Sequence, residues 1–334
     1  MTKSTQCTSL IFTAPYQLAV SVEPMPTPAA DEVLVRTVLS AISAGTEMLF
    51  YRGQVPPELS VDATIAALTQ PVYYPLRYGY ALVGEVVATG AAVEPGWQGQ
   101  RVFAFHPHTS HFCAKPTALI PLPDEVTPEQ ACFLPNLETA VNFVQDGAPI
   151  IGERVVVLGQ GVVGLLTTLL LRQFPLAALV TVDRFPLRRA RSTQFGAHQS
   201  YDAIPVDQTQ AFNADLVYEL TGNPAALNDA ITMTGYDGRI VIGSWYGQKR
   251  AAIDLGGHFH RSRIRLISSQ VSTIAPHYQG RWTKARRFAM VWQMARQIDP
   301  TLLVTHRFAL EDAPAAYALL DQKPGETLQV LLTY

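Results

Sequence analysis

Between Arg154 and Asp183 the sequence reads Arg-Val-Val-Val-Leu-Gly-Gln-Gly-Val-Val-Gly, passes through an apolar run from Leu165 to Leu171, and ends on Leu-Val-Thr-Val-Asp. These residue types spell a short β-branched strand, a tight glycine turn, a helix and a second strand. Gly159 admits the sharp turn, Gly161 removes the Cβ that would block a pyrophosphate, and Gly164 lets the helix pack against the strand. The first amides of that helix, at Val162 and Val163, then face the phosphates, where the helix dipole favours negative charge. Asp183 falls 19 residues after Gly164, at the end of the second strand. A carboxylate there accepts ribose hydroxyls, so the stretch predicts a doubly wound α/β sheet that binds a dinucleotide. The same carboxylate repels a 2′-phosphate and favours NAD(H), whereas Arg184 and Arg188 leave room for NADP(H).

A chain of 334 residues is expected to form about two domains. Its 48% hydrophobic against 16% charged residues supply a sizeable core. A formal charge of −2 gives no reason to expect nucleic acid or a membrane surface as a partner. The basic clusters at 184–191 and 281–287 read as solvated faces. Cys7, Cys113 and Cys132 have no C-x-x-C spacing, which fits reduced thiols in a cytoplasmic protein. The N-terminal residues lack a signal-peptide hydrophobic region, and the most apolar window, 155–171, is broken by the glycines, so no membrane span is expected.

From about Ser9 to Leu122 short apolar runs (Leu18–Val22, Val33–Leu39, Ala81–Val87, Arg101–Phe105) alternate with Pro, Gly and acidic turns, as in a small antiparallel barrel. Val55–Tyr74, with a helix around Asp62–Leu68, interrupts them as a candidate flap. Thr127-Pro-Glu-Gln130 reads as a capping box that starts a helix running to about Val144. After Asp183 the expected order is helix Leu187–Phe195, strand Asp215–Thr221, helix Ala225–Thr232 and strand Gly238–Gly243, the alternation of a parallel sheet. A strand at Arg263–Ser268, a helix at Thr283–Gln297, a strand at Leu303–His306, a helix at Ala313–Leu320 and a strand at Thr327–Leu332 follow. Thr221-Gly222 and Ser244-Trp245 sit where strands end, the usual place for ligands in such sheets.

The order of parts resembles the medium-chain dehydrogenase/reductase (alcohol dehydrogenase-like) superfamily over nearly the whole chain. The matching motifs are Gly79-Tyr-Ala-Leu-Val-Gly84-Glu-Val, Gly99-Gln-Arg-Val102, the glycine turn, and the C-terminal strands. Ser40-Ala-Ile-Ser-Ala-Gly-Thr-Glu47 with Gly79-Tyr80 looks closest to a zinc-lacking branch that includes bacteriochlorophyllide-type hydroxyethyl dehydrogenases. The resemblance implies a β-rich GroES-like catalytic domain at 1–137, a Rossmann domain at 138–269 and a return to the catalytic domain at 270–334. It also implies a homodimer paired through the strand Arg263–Ser268.

Zinc-dependent members place a Cys where this chain has Ala44, a His where it has Tyr80, and a third ligand near Pro135 or Asn136. Zinc needs three such donors, so neither a catalytic zinc nor the structural zinc of the missing cysteine-rich lobe is expected. The oxygen of the substrate then needs a hydrogen-bond donor in its place. Tyr80 stands at a ligand position and Thr46 matches the family's proton-relay hydroxyl. Glu47 and Glu138 are candidate acid/base groups, with Glu47 weighed more heavily as a structural carboxylate, and Thr139 matches a nicotinamide contact. His106, His108 and His111 form a dense cluster that reads as polar lining or loop histidines rather than as a metal site, and His258 and His260 as satisfied structural residues. Phe50, Tyr51, Tyr73, Tyr74 and Trp245 suggest a partly apolar pocket.

The expected function is zinc-independent, NAD(P)(H)-dependent interconversion of a small-molecule secondary alcohol and a carbonyl. An enone or quinone reductase, and a nucleotide-binding protein without catalysis, are the alternatives.

Overall fold

The computed structural model describes residues 5–56, 58, 65, 68–69, 71–204 and 212–334. Most of the helix expected at Asp62–Leu68 lies outside the described residues. The chain divides into two units, one of Met1–Pro135 with Trp292–Tyr334 and one of Asn136–Val291.

In the first unit β1 (Gln6–Ala14) and β2 (Gln17–Pro24) form an antiparallel hairpin. They are followed by β3 (Val33–Ile42), β4 (Leu82–Thr89), β5 (Arg101–Ala104), β6 (His111–Ala114) and β7 (Leu119–Pro121). Along β3, Val33, Val35 and Thr37 face inward while Arg36 and Val38 face out, the two-residue period of a half-buried strand. Its last three residues, Ser40, Ala41 and Ile42, are buried on both faces, so this end of the strand runs through the core. One cluster packs Val33, Val35, Leu82, Val86, Val102 and Phe112, and a second packs Leu10, Phe12, Ile42, Met48, Phe50 and Tyr317.

The second unit carries β8 (Arg154–Leu158), β9 (Ala178–Val182), β10 (Gln199–Tyr201), β11 (Ala214–Glu219), β12 (Thr234–Ile242) and β13 (Arg265–Ser268). They pair in parallel in the order β10-β9-β8-β11-β12-β13. The chain winds outward one way from β8 and then the other way from β11, so the topological switch lies between these two strands, where open α/β sheets bind ligands. Val155 to Leu158 are buried without alternation, as a strand covered by helices on both faces must be.

The chain ends in β14 (Val304–Ala309) and β15 (Gln329–Thr333), which extend the first unit's sheet to the order β14-β15-β3-β4-β5-β7, with β6 on β3. The return to the first unit comes at Trp292, later than the expected 270. Residues before it stay with the second unit because Lys284 and Arg287 pair with Glu138, and Tyr278 donates to Gln145 O at 3.0 Å.

The capping box at Thr127 forms as expected, but its helix stops at Ala131 and a second one, Leu134–Gly147, starts three residues on. Pro135 explains the break, since its ring collides with the carbonyl four residues back and it offers no amide to continue the ladder. β12 begins earlier than expected, at Thr234, with a register shift against β11 before it straightens.

Candidate active site

Gly159 takes φ of +88°, and a Cβ there would stand 2.6 Å from Leu220 O. A Cβ on Gly164 would stand 2.0 Å from Gly159 O. Gly159 therefore lets the turn after β8 lie against the backbone that follows β11, and Gly164 lets helix Val162–Leu171 meet that turn backbone to backbone. Gly161 differs: only Arg188 Nη1, at 3.9 Å, comes within 4 Å of its missing Cβ, so that side of the turn is open. Gly161 caps the helix without a side-chain hydrogen bond, which leaves the amides of its first turn for an anionic ligand.

Asp183 ends β9 as expected. Its Oδ2 accepts the Gln160 N–H at 2.8 Å and its Oδ1 accepts the Phe185 N–H at 2.8 Å, with Arg188 Nη1 3.7 Å away. A carboxylate has about four acceptor directions, so two remain for ribose hydroxyls. Arg184 and Arg188 both lie over the Phe185 ring, 4.6 and 4.8 Å from its centre. Burial pulls the Arg188 pKa below its ordinary value, while Asp183 opposes the shift.

Glu219, at the end of β11, escaped the sequence reading although an acid closing an apolar strand before Thr-Gly was the available signal. It is fully buried. Its carboxylate accepts the Thr221 N–H at 2.8 Å, the Thr221 hydroxyl, and the Tyr246 hydroxyl at 2.5 Å. Burial first, and then this bond, raise the Tyr246 pKa. Gly222, at φ of +70°, donates its N–H to Ser244 Oγ at 2.8 Å, and Lys249 Nζ donates to Gly222 O at 2.9 Å. Thr221, Gly222 and Ser244 are thus brought together at the ends of adjacent strands, and Trp245 beside them is exposed.

In the first unit, Thr46 starts the helix Thr46–Tyr51 and Tyr80 follows Gly79. Tyr80 donates its hydroxyl to Ser43 Oγ at 2.6 Å, and the Thr46 N–H points at the same oxygen from 3.4 Å. Glu47 is fully buried, where it accepts the Ser43 N–H at 2.8 Å, meets His108 Nε2 at 2.9 Å and accepts the Tyr317 hydroxyl. His108 Nδ1 continues the chain to Ser40 Oγ at 2.7 Å, and that oxygen lies 2.7 Å from the Tyr334 hydroxyl. Burial and the neighbouring Glu47 hold the Tyr317 pKa well above its ordinary value. Glu47 is therefore enclosed by its partners and acts as an anchor, not as the acid/base group that was the other expectation for it. Gly79, at φ of +127°, makes room for this chain, since its Cβ would stand 2.8 Å from the His108 ring.

Glu138 is corrected in the same way. It is 2% exposed and pairs with Lys284 and with Arg287 Nε, the latter at 3.1 Å. A buried carboxylate held by two cations is a structural ion pair with no open face for proton transfer. Burial lowers the Lys284 pKa against the pull of Glu138. Thr139, next in the helix Leu134–Gly147, is half-buried.

The three clustered histidines go separate ways. His106 stacks on Phe112 at 4.0 Å and donates Nδ1–H to Pro107 O at 3.0 Å, and burial pushes its pKa down to about 4. His108 belongs to the Glu47 chain, and His111 meets Ser110 Oγ at 3.2 Å. Among the described residues no group of three or more His, Cys, Asp or Glu side chains is arranged to hold a metal ion. His258 donates Nε2–H to Thr234 O at 2.8 Å, a satisfied structural contact. Of the aromatics expected to line a pocket, Phe50 and Tyr51 belong to the first unit's core, while Tyr73 and Trp245 are exposed.

A parallel sheet in this order with a glycine turn after its first strand, together with a second unit built on a mainly antiparallel sheet, is the architecture of the medium-chain dehydrogenases. The chain is similar in sequence and in fold to alcohol dehydrogenase-like proteins of the medium-chain dehydrogenase/reductase superfamily. It is 24% identical to the starvation-sensing protein RspB of Escherichia coli K12 over 98% of this chain and 99% of that protein. It is also 24% identical to human sorbitol dehydrogenase, over 68% of this chain and 61% of that protein. Among solved structures, a short chain alcohol dehydrogenase (rspB) from E. coli CFT073 complexed with cofactor NADH superposes with a TM-score of 0.80 at 20% identity, covering 99% of this chain and 100% of that one. A 2R,3R-butanediol dehydrogenase from Bacillus subtilis gives 0.80 at 19% identity, covering 98% and 99%. No family model matches the chain.

Proposed function

We propose that this chain is a nicotinamide-dependent oxidoreductase that interconverts a secondary alcohol and a carbonyl without zinc. The observation that carries this reading is the donor set: where the zinc-dependent relatives supply ligands, this chain has Ala44, Tyr80 and Pro135 or Asn136, and Tyr80 is instead hydrogen-bonded to Ser43 at 2.6 Å. A methyl group, a phenol and a proline or carboxamide do not make the three thiolate, imidazole or carboxylate donors that a catalytic zinc takes. The open side of Gly161, the first-turn amides of Val162 and Val163, and Asp183 would hold the dinucleotide, with Arg184, Arg188, Thr221, Gly222, Ser244 and Trp245 around it and Thr139 at the nicotinamide. When bound, the nicotinamide supplies or takes up the hydride. The chain's own task is to hold the reacting oxygen and move a proton to or from it, a task for the cluster of hydroxyls to which Tyr80 and Thr46 belong.

Asp183 favours NAD(H) over NADP(H) in this reading. The β13 edge, with Arg265, Leu266 and Ser268 exposed, supports a homodimer paired through that strand. Three free cysteines fit a reducing, cytoplasmic setting. No helix among the described residues is long and apolar enough to cross a membrane.

Fluorescence titration of the chelator-treated protein with NADH and NADPH, followed by product analysis on ketones and enones, tests the reading. Tighter NADH binding and an alcohol product are expected. A saturated ketone as product would make it an enone reductase instead, and cofactor binding without turnover on any carbonyl would make it a non-catalytic binder. Replacing Asp183 with Ser is expected to narrow the gap between the two cofactors about tenfold, the loss of one or two hydrogen bonds to a charged group.

A further inference from the structure

Three features stand outside the assignments above: the Glu219–Tyr246 pair, the groove beside Asn228 and His258, and the Ser43 hydroxyl. The third reaches furthest. Ser43 Oγ accepts the Tyr80 hydroxyl proton at 2.6 Å and faces the Thr46 N–H at 3.4 Å, and among the described residues it donates to no acceptor. A hydroxyl has one proton and two lone pairs. With both lone pairs facing donors, its proton is left pointing away from Tyr80 and Thr46.

The placement of this oxygen is set from below. Glu47 holds the Ser43 N–H, and its own N–H donates to Ser43 O at 3.1 Å, closing the turn that leads into helix Thr46–Tyr51. Glu47 is held in turn by His108 and Tyr317. The Tyr80 ring meets Tyr78 edge-on at 6.0 Å, and Tyr78 stacks on Phe50 at 3.9 Å. Ser43 and Tyr80 are half-buried, whereas Ala44 and Gly45 beside them are exposed, so the pair sits at the accessible edge of this buried scaffold.

We propose that Ser43, not Tyr80, is the catalytic residue that touches the substrate oxygen, with Tyr80 behind it as the proton source. This rests on the alcohol–carbonyl reading above. In the reducing direction the carbonyl carbon gains a hydride and its oxygen forms a bond to the Ser43 proton. The Ser43 O–H bond breaks, the Tyr80 proton passes to Ser43 Oγ, and the Tyr80 oxygen recovers a proton from solvent. Alcohol oxidation runs the same transfers backwards. Donation by Tyr80 polarises the Ser43 O–H, because bonds in a chain strengthen one another.

The test compares Ser43→Ala, Ser43→Thr and Tyr80→Phe with the parent protein in three measurements: NADH affinity, affinity of the NADH complex for isobutyramide (an unreactive carbonyl mimic), and ketone turnover. NADH affinity is expected to stay within about twofold in every variant, since the substitutions leave the nucleotide unit untouched. Ser43→Ala is expected to weaken isobutyramide about tenfold and to slow turnover about 100-fold or more, the usual scale for losing a positioned acid. Ser43→Thr should restore most of both, and Tyr80→Phe should slow turnover while largely sparing amide affinity. If Ser43→Ala binds the amide and turns over like the parent while Tyr80→Phe loses both, Tyr80 is the direct donor and this proposal is overturned alone. A parent protein that binds NADH yet reduces no ketone would overturn the alcohol–carbonyl reading and this proposal together.

Discussion

Lowering the pH from 7 to 5 is expected to cost the first unit up to about 2 kcal/mol at His106 alone. Its ring is stacked on Phe112 and gives its one proton to Pro107 O, so a second proton would find no acceptor among the described residues. Burial, with Arg77 and His108 adding to it, moves the pKa from 6.5 to about 4, against the smaller opposing effect of the Pro107 bond. The folded pKa lies below the unfolded one, so the unfolded chain binds more protons in this interval. The stabilisation is fully present above about pH 6.5 and is lost as the pH falls toward 4. At pH 5 protonation favours the unfolded state by a factor of about 30 and the folded state by about 1.1, a ratio worth about 2 kcal/mol. His106 is only half-buried, which makes this an upper value. Urea unfolding of the parent and of His106→Phe at both pH values isolates the effect, because Phe keeps the stack and cannot titrate. The lost bond to Pro107 shifts the variant by about 1 kcal/mol at either pH. The parent should lose up to about 2 kcal/mol more than the variant between pH 7 and 5. Equal losses in the two proteins would refute the argument.

Glu219→Gln keeps the shape of the side chain but sets an amide against the Tyr246 and Thr221 donors, and is expected to weaken NADH binding about tenfold in a fluorescence titration, with Tyr246→Phe giving a smaller loss. Gly164→Ala drives a Cβ into Gly159 O, so helix and strand must part. Overpacking of about 1–3 kcal/mol should lower the thermal midpoint of the second unit by several degrees and abolish NADH binding, as calorimetry with and without cofactor would record.

Much of the fold was legible because it rests on local chemistry. The positive φ at Gly159 and the backbone contact at Gly164 demand glycine whatever surrounds them, and Thr127 caps its helix through residues three apart. The parallel sheet followed from the alternation of strands and helices. Pro135 splits that helix through its own ring and missing amide, a local effect as well. The acidic residues were a different matter. Glu47 acquires His108 from 61 residues away and Tyr317 from 270, and Glu138 acquires Lys284 from 146. No spacing rule reaches those distances, so the partners that enclose Glu47, weighed as structural, and Glu138, read as a candidate acid/base group, were not legible in the sequence. Ser43 lay unnoticed for the same reason: it becomes interesting only when β3 and the turn before β4 bring it to Tyr80.

The central claim is that hydride transfer here needs the nicotinamide and the hydroxyls but no zinc. The most direct measurement is ketone-dependent NADH oxidation by one chelator-treated sample, with its metal content determined by elemental analysis on the same aliquot. Undiminished turnover in a sample free of zinc, unchanged when zinc is added back, is the predicted result. Turnover that vanishes with the metal and returns with stoichiometric zinc would contradict the account.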